Sequence, residues 1–299
     1  MQKLDYNGYQ FAYSCYGDAD APAIVLIMGL GMAGVAWPPS LISYLVREGF
    51  YVVVPDNRDC GESARFTEFS ADGRDVAKAV ALTLCRRRVT SGYALEDMAF
   101  DVERLLDHLG IRRAHVTGIS MGGMIAQVMA TQCPNRVASL ISIASASGNP
   151  DTGLGNWKAI WTLLRKPADI QTEAGLRNYF AKVFRVLSGP VYQPDEAEMN
   201  SMLNRLPSLH YDAEAMYRQL LAILASGDRS AQLARVLTPT LVIHGTADPL
   251  LPFAAGEEVA RVMPQAELVP ITGMGHQLPE KLMPQIGALI AGHCHRHPA

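Results

Sequence analysis

The segment GISMG at 118–122 has the residue types and spacing of a turn that carries a nucleophilic serine. A strand-like run, AHVTGI, precedes it at 114–119, and a helical pattern begins at Met121. A serine on so sharp a strand-to-helix turn has a strained backbone and needs small neighbours. The glycines at both ends of the motif meet this need. We therefore predict that Ser120 is a nucleophile, rather than an ordinary serine at a helix N-cap.

A nucleophilic serine needs a base, and the base needs a carboxylate that orients it. His276 lies in the loop GMGH after the strand-like run 267–271, and Asp248 lies in GTADP after the run 240–244. The loops that follow parallel strands meet at one edge of a sheet, where ligands bind. We therefore predict that His276 is the base of Ser120 and that Asp248 is the orienting acid.

Other histidines and acids could take these two roles. His244 and His115 lie within or at the end of strand-like runs, where a buried structural histidine is the usual outcome. His108 lies on a helix, and His210 lies in a later helical block. Asp56 and Asp228 are the alternatives for the acid.

Acyl transfer also needs hydrogen-bond donors for the oxyanion. The backbone N–H of Met121 directly follows the nucleophile. The loop MGLGM, at 28–32, follows another strand-like run, and its glycines let the backbone approach a substrate closely. We predict that the backbone N–H of Leu30 is the second donor.

The same glycines support a competing hypothesis. Gly29, Gly31 and Gly34 match the G-x-G-x-x-G pattern of a dinucleotide-binding loop, with Asp56 as the acid for a ribose. Such a loop must open directly into a helix, whereas Pro38-Pro39 places the next helix start near residue 39. The NAD-dependent oxidoreductase is therefore the distant alternative, and we expect no cofactor.

Composition narrows the classes further. The 299 residues are 49% hydrophobic, which suffices for a large core, and the net charge of −3 comes without a basic stripe. We expect no nucleic-acid partner. No apolar run reaches the roughly 18 residues of a membrane span, and the polar N-terminus lacks the apolar segment of a secretory signal.

The cysteines and the C-terminal tail show no pattern of a bound group. The five cysteines are scattered without a C-x-x-C pair, which is typical of reduced thiols in a cytoplasmic protein, and no metal site is expected. The histidine-rich tail 293–297 is expected to be a disordered terminus. The oligomeric state stays open.

Strand-like apolar runs alternate with helical patterns along most of the chain, which predicts an α/β fold with a mostly parallel sheet flanked by helices. Two blocks break the alternation: 66–93 carries an extra helical piece, and 149–233 is helical throughout. We predict a core formed by 1–148 and 234–299, with 149–233 as a helical cap or lid.

Apolar residues on or beside the catalytic loops predict the substrate pocket: Gly29, Met32, Trp37, Met124 and Met274. Aromatic residues of the helical block could face the pocket or hold its helices together: Trp157, Trp161, Phe180 and Phe184. No arginine suited to an acidic substrate is evident near these loops. The expected substrate is therefore a small molecule with a neutral, apolar carboxylic ester.

Almost the whole chain resembles the α/β-hydrolases, specifically bacterial esterases related to aclacinomycin methylesterase. The resemblance rests on unlinked motifs in the right order: IMGLG…AWP (27–31, 36–38), PDNRDCGES (55–63), YALEDMAFDVERLLDHLGI (93–111), GISMGG (118–123), LVIHGTADPLLP (241–252) and GMGH (273–276). It implies an eight-stranded sheet with a helical cap. It also implies a Ser120–Asp248–His276 triad, with Leu30 and Met121 in the oxyanion hole.

Two departures bear on the substrate. Met28-Gly29 stands where the family commonly has His-Gly, and the helical piece at 74–88 resembles an insertion of lipase-like esterases that the methylesterase lacks. Within the superfamily, a serine argues against dehalogenases and epoxide hydrolases, which use aspartate. A carboxylesterase is favoured. The alternatives are a methylesterase, lipase, lactonase, C–C bond hydrolase, cofactor-free perhydrolase or non-catalytic binding protein.

Overall fold

The computed structural model describes residues 1–153, 155–164, 172–206 and 212–299, with only the backbone of Trp157 and Leu164. Within these ranges eight strands form a sheet in the order β1-β2-β4-β3-β5-β6-β7-β8. The strands are β1 (Gln2–Tyr6), β2 (Tyr9–Tyr16), β3 (Ala23–Ile27), β4 (Tyr51–Pro55), β5 (Ala114–Ile119), β6 (Val137–Ile143), β7 (Thr240–Gly245) and β8 (Ala266–Ile271). The predicted α/β fold with a mostly parallel sheet is confirmed.

The six strands from β4 to β8 along the sheet run parallel, and β1 and β2 are antiparallel at one edge. Every residue of β3, β5, β6 and β7 is buried, because helices cover both faces. β1 escaped sequence-based prediction. Only Leu4 of its five residues is buried, so it has little apolar periodicity.

Five helices flank the sheet: α1 (Pro39–Arg47), α3 (Leu95–His108), α4 (Met121–Gln132), α10 (Phe253–Val262) and α11 (Met283–Arg296). A further helix, α2 (Gly73–Leu84), packs against the later helix Ala213–Ser226. α1 begins at Pro39, as the proline pair predicts. α2 lies within the predicted insertion 66–93, and Asp72 and Asp75 form a capping box at its start. Among the helices that the structure describes, none has the length and apolarity required to cross a bilayer.

The histidine-rich tail departs from the expectation of disorder. α11 continues through Arg296, and both His293 and Cys294 are 1% exposed. The apolar stripe of this helix includes Ile286 and Ile290, and Cys294 extends it by one further turn. The prediction of a disordered tail is therefore wrong for residues 293–296.

The described helices between β6 and β7 are α5 (Trp157–Leu164), α6 (Glu173–Leu187), α7 (Glu196–Arg205), α8 (Ala213–Ser226) and α9 (Ser230–Leu233). We call α5 to α8 the inserted helices. Aspartate or threonine N-caps start three of them, at Thr172, Asp195 and Asp212. The division of the chain into a core and a cap at 149–233 stays a prediction.

A buried ion pair fastens α8 to the loop after β4. The Arg218 guanidinium donates to both carboxylate oxygens of Asp59, at 2.9 and 2.7 Å, and these side chains are 3% and 0% exposed. Tyr93 donates its hydroxyl to Asp59 at 2.7 Å, and the Phe66 amide donates at 2.9 Å. Asp59 is thus a buried carboxylate whose charge is balanced by one cation of the inserted helices.

Replacing Arg218 with alanine is expected to lower the free energy of unfolding by about 3–5 kcal/mol, because it leaves the Asp59 charge buried without its cation. Urea denaturation followed by circular dichroism measures this loss. Arg86→Ala is the matched control, since its ion pair with Asp151 is 2.8 Å long but mostly exposed. The control should lose less than about 1 kcal/mol. Equal losses in the two variants would contradict a stabilising role of the buried Arg218–Asp59 ion pair.

Candidate active site

Ser120 lies between the end of β5 and the start of α4, with φ of 55° and ψ of −121°. Few non-glycine residues adopt positive φ, and such strain is concentrated at functional sites. A Cβ on Gly118 would lie 2.1 Å from the Gly122 backbone, and one on Gly122 would lie 2.0 Å from the Ile27 carbonyl oxygen. The small residues predicted around the serine are therefore required by the packing of this turn.

His276 and Asp248 are joined by a buried hydrogen bond of 2.7 Å between Nδ1 and Oδ2. The other carboxylate oxygen of Asp248 accepts the backbone N–H groups of Leu250 and Leu251, at 2.8 and 2.9 Å. These bonds fix the carboxylate in the loop after β7. Within the described residues the bond to Asp248 is the only side-chain hydrogen bond of His276, so its Nε2 stays available.

His244, the nearest rival base, lies beside this pair. Its Nε2 is 3.6 Å from Asp248 Oδ2 and 2.9 Å from the Leu251 carbonyl oxygen. A carbonyl accepts a hydrogen bond, so Nε2 carries the proton that it donates there. Burial lowers the pKa of His244, which keeps the ring neutral. His244 therefore packs behind the aspartate and does not face the serine.

The remaining alternatives lie elsewhere. His115 bonds Ser139 at 2.9 Å, and burial lowers its pKa to about 4. His108 bonds the Tyr13 hydroxyl at 3.1 Å. Asp228 is exposed and accepts the Ser230 amide at 2.9 Å. His210 lies outside the described residues.

Ser120 and His276 line the same cavity, which has a volume of about 280 Å³. Leu30 also lines it, in the loop after β3. Within the described ranges the backbone N–H groups of Leu30 and Met121 have no acceptor, whereas the Ser120 amide donates to the Ile143 carbonyl at 2.9 Å. Among the described residues, the two amides without an acceptor thus belong to the residue after Ser120 and to a loop on the same cavity, and an oxyanion site needs such donors.

The acid of the dinucleotide hypothesis has other partners. Asp56 accepts the backbone N–H of Gly34 at 2.7 Å and that of Glu62 at 2.9 Å. A Cβ on Gly34 would lie 2.7 Å from Val54, so this glycine is required by packing on β4. Asp56 therefore connects the loop of Gly34 to the loop of Glu62, and the start of α1 at Pro39 is too distant in sequence from the three glycines to act with them.

The predicted substrate pocket agrees with the cavity only in part. Gly29 and Met32 line it. Trp37, Met124 and Met274 do not, since they are 1%, 5% and 0% exposed within the two main hydrophobic clusters. The prediction is wrong for these three residues, because side chains near a catalytic loop can point beneath it into the core.

Sequence reasoning missed much of the opposite wall, which the inserted helices supply. Its described apolar members include Tyr179, Val183, Leu187, Met202, Leu206 and Met216, alongside the anticipated aromatic residues Phe180 and Phe184. Trp161 does not line the cavity and is 54% exposed. The Trp157 side chain lies outside the description. Helical spacing shows which residues share a face, but not which other element that face meets.

Sequence reasoning also missed two arginines near the site. Arg65 and Arg205 line the cavity, together with Glu62 and Asp212. Arg65 Nε is 3.8 Å from the Asp212 carboxylate. Arg205 donates to the Ser201 hydroxyl at 3.0 Å, its Nε has no partner among the described residues, and burial lowers its pKa. Two cations and three acids, counting Asp59, therefore line a cavity whose other residues are mostly apolar.

Cys60 also lines the cavity and is a second potential nucleophile. Burial is the main cause that raises the pKa of its thiol to about 12. A thiol with so high a pKa is protonated at neutral pH, and the thiolate is the reactive form. Ser120 is therefore the better candidate.

Comparisons with known proteins agree with this architecture. Two rhodomycin D methylesterases are similar over 296 residues: DnrP of Streptomyces peucetius at 28% identity and DauP of Streptomyces sp. (strain C5) at 27%, each covering 92% of this chain and 91% of the relative. The crystal structure of the enol-lactonase from Burkholderia xenovorans LB400 has a TM-score of 0.74 at 21% identity, covering 98% of this chain and 100% of that one. A model of the α/β hydrolase fold matches residues 22–280. The chain belongs to the α/β hydrolase fold family, as its resemblance to the methylesterase-related group implied.

Proposed function

We propose that this protein is a serine hydrolase that cleaves carboxylic esters through an acyl-enzyme, with Ser120, His276 and Asp248 as its catalytic triad. The observation that carries the proposal is the pairing of a strained serine turn with a histidine that is hydrogen-bonded to a buried aspartate, on one cavity. The methylesterase relatives support ester hydrolysis as the reaction class.

In the acylation half-reaction, His276 Nε2 takes the proton of the Ser120 hydroxyl while Oγ attacks the ester carbonyl carbon. The carbonyl oxygen becomes an oxyanion, which accepts the N–H groups of Leu30 and Met121. Asp248 stabilises the imidazolium and holds Nδ1 protonated. The tetrahedral intermediate collapses when the carbon–oxygen bond to the alcohol breaks and His276 gives its proton to the leaving oxygen.

Deacylation repeats these steps with water. His276 removes a proton from a water molecule, whose oxygen attacks the acyl carbon. The second oxyanion uses the same two amides. Collapse breaks the bond to Ser120 Oγ, and His276 returns the proton to the serine. The products are a carboxylic acid and an alcohol, and the enzyme's residues suffice for each proton transfer.

The substrate class follows from the lining. Most of the lining residues are apolar, and the two lining arginines are matched by the carboxylates of Glu62 and Asp212. A neutral ester with apolar groups suits such a cavity, because an added carboxylate loses its hydration without an excess cation to balance it. We propose that the inserted helices act as a lid that excludes water from the acyl group.

A matched pair of substrates tests this preference. p-Nitrophenyl valerate and the mono-p-nitrophenyl ester of glutaric acid differ in a terminal methyl or carboxylate group. We expect kcat/KM to favour the valerate by about tenfold or more, because of the cost of burying the charge. The Arg205→Met variant should show the same preference. A glutarate preference that is lost in Arg205→Met would instead assign Arg205 to binding an acidic substrate.

A wider panel separates the related activities. It contains p-nitrophenyl esters of two to sixteen carbons, an emulsified long-chain triglyceride, a lactone and an aromatic methyl ester. We expect the highest kcat/KM for short soluble esters, since about 280 Å³ accommodates only a small acyl group. Higher turnover of the emulsion, the lactone or the methyl ester would assign the protein as a lipase, a lactonase or a methylesterase, respectively, and not as a carboxylesterase. Failure to react with a fluorophosphonate probe would exclude all of them.

A further inference from the structure

A buried glutamine of α8 connects the inserted helices to the loop that carries Leu30. Gln219 is 0% exposed. Its Oε1 accepts the backbone N–H of Gly31 at 2.8 Å, and its Nε2 donates to the Arg58 carbonyl at 2.7 Å. The side-chain amide therefore bridges the loops that follow β3 and β4. Both its donor and its acceptor are used, as a buried amide requires.

The bond to Gly31 acts on the peptide next to the proposed oxyanion donor. The Gly31 N–H belongs to the peptide unit formed by Leu30 and Gly31, so it fixes one side of the Leu30 backbone. Gly31 has a φ of +68°. Glycine adopts this conformation without strain, but it can change to other backbone conformations at little cost. The only other backbone bond of the Gly29–Met32 turn in the described chain is 3.2 Å long, from the Met32 amide to the Gly29 carbonyl.

Buried or partly buried ion pairs hold the segments on both sides of the Gln219 side chain. Arg218, adjacent to Gln219, makes the buried ion pair with Asp59, and Arg58 pairs through its guanidinium with Asp101 at 2.7 Å. The Gln219 amide is thus attached to a helix and a loop that have separate buried ion pairs. A donor stabilises a transition state best when it is aligned before the reaction, so that no reorganisation is needed.

We propose that Gln219 is a positioning residue for the oxyanion hole, which holds the Leu30 N–H toward the reacting carbonyl through the Gly31 peptide. This rests on the proposed ester hydrolysis. It assigns to the inserted helices a role in the chemical step, in addition to their contact with the acyl or alcohol group.

Gln219→Met tests the proposal, because methionine has a similar volume but neither donates nor accepts strongly. We expect kcat for p-nitrophenyl butyrate to fall about tenfold or more, since a displaced oxyanion donor costs up to about 10²–10³-fold. KM should change less than about threefold. Affinity for a trifluoromethyl ketone, which forms a tetrahedral oxyanion adduct with the serine, should fall by a factor similar to kcat. All values are expressed per active site, titrated with a fluorophosphonate.

Gln127→Met is the matched control. Gln127 is also a 0% exposed glutamine, but it donates to the Ser142 hydroxyl at 3.3 Å and contacts no part of the Gly29–Met32 turn by hydrogen bond within the described chain. We expect a lower melting temperature with unchanged kcat and inhibitor affinity. A control that loses as much kcat as Gln219→Met would assign the effect to general destabilisation and overturn the proposal.

Gln219→Glu provides a second variant if the methionine variant does not fold. Its carboxylate can accept the Gly31 N–H but, when ionised, cannot donate to Arg58, so we expect a smaller fall in kcat. Wild-type kcat and inhibitor affinity in Gln219→Met overturn the positioning role, and so does a fall in the kcat of Gln219→Glu that the inhibitor affinity does not match. An inactive wild-type enzyme would instead contradict the proposed ester hydrolysis itself.

Discussion

Ser120→Ala is expected to lower kcat for p-nitrophenyl butyrate by roughly 10⁵–10⁶-fold, because removing the nucleophile of a serine triad abolishes the acyl-enzyme route. Residual turnover above the uncatalysed rate can come only from the oxyanion donors and from substrate binding. The variant should also fail to react with a fluorophosphonate. Stopped assays with concentrated enzyme measure so small a rate, and intact-protein mass spectrometry measures the labelling.

The fold of this variant should be preserved. Alanine has the same Cβ as serine, so the strained backbone with a φ of 55° is neither relieved nor worsened. Ser139→Ala is a suitable control, since Ser139 is a buried serine of β6 that contacts His115 at the other end of the sheet. Its kcat should equal that of the wild type. Turnover by Ser120→Ala at more than about a hundredth of the wild-type rate would mean that another residue is the nucleophile.

Asp248→Asn is expected to lower kcat by about 10⁴-fold. Asparagine has the shape of aspartate, and its oxygen can still accept the amides of Leu250 and Leu251, so the loop after β7 should keep its structure. Its NH₂ group, however, faces His276 Nδ1 at the position of the 2.7 Å bond. Nδ1 must then accept a hydrogen bond, which places the ring proton on Nε2. In that tautomer His276 cannot take the serine proton.

The corresponding asparagine variant of Asp228 distinguishes Asp248 from Asp228 as the orienting acid. Asp228→Asn changes an exposed aspartate whose carboxylate accepts from Ser230, and we expect kcat within about twofold of the wild type. Unfolding curves of both variants should be close to that of the wild type, which isolates the effect on the rate. A nearly unchanged kcat in Asp248→Asn would show that a different acid orients His276.

Local sequence patterns predicted much of the architecture. Five buried strands were recognisable as continuous apolar runs, since a strand covered on both faces has no polar side. Pro38-Pro39 marked the start of α1, and the glycines of 118–122 marked the strand-to-helix turn of Ser120. β1 and the ordered tail were not recognised, because a single buried leucine and one extra helical turn leave weak patterns.

The amino-acid sequence by itself determined which residues could do the chemistry. A serine in a glycine-flanked turn, an aspartate and a histidine each follow a predicted strand, and parallel strands present their following loops at the same edge. This geometric rule holds without knowledge of any long-range contact. The structure adds the 2.7 Å bond between His276 and Asp248 and the cavity that Ser120 and His276 share.

Only the tertiary structure decided the surroundings of this site. Trp37, Met124 and Met274 point into the core, whereas Phe184 and Arg205 of the inserted helices reach the cavity. Gln219 meets Gly31 across 188 positions of the chain. Such contacts depend on how two elements pack against each other. The local periodicity of one element does not show which other element it packs against. For this reason the sequence predicts the class of reaction, while packing sets the lining of the cavity and the hydrogen bond between Gln219 and Gly31.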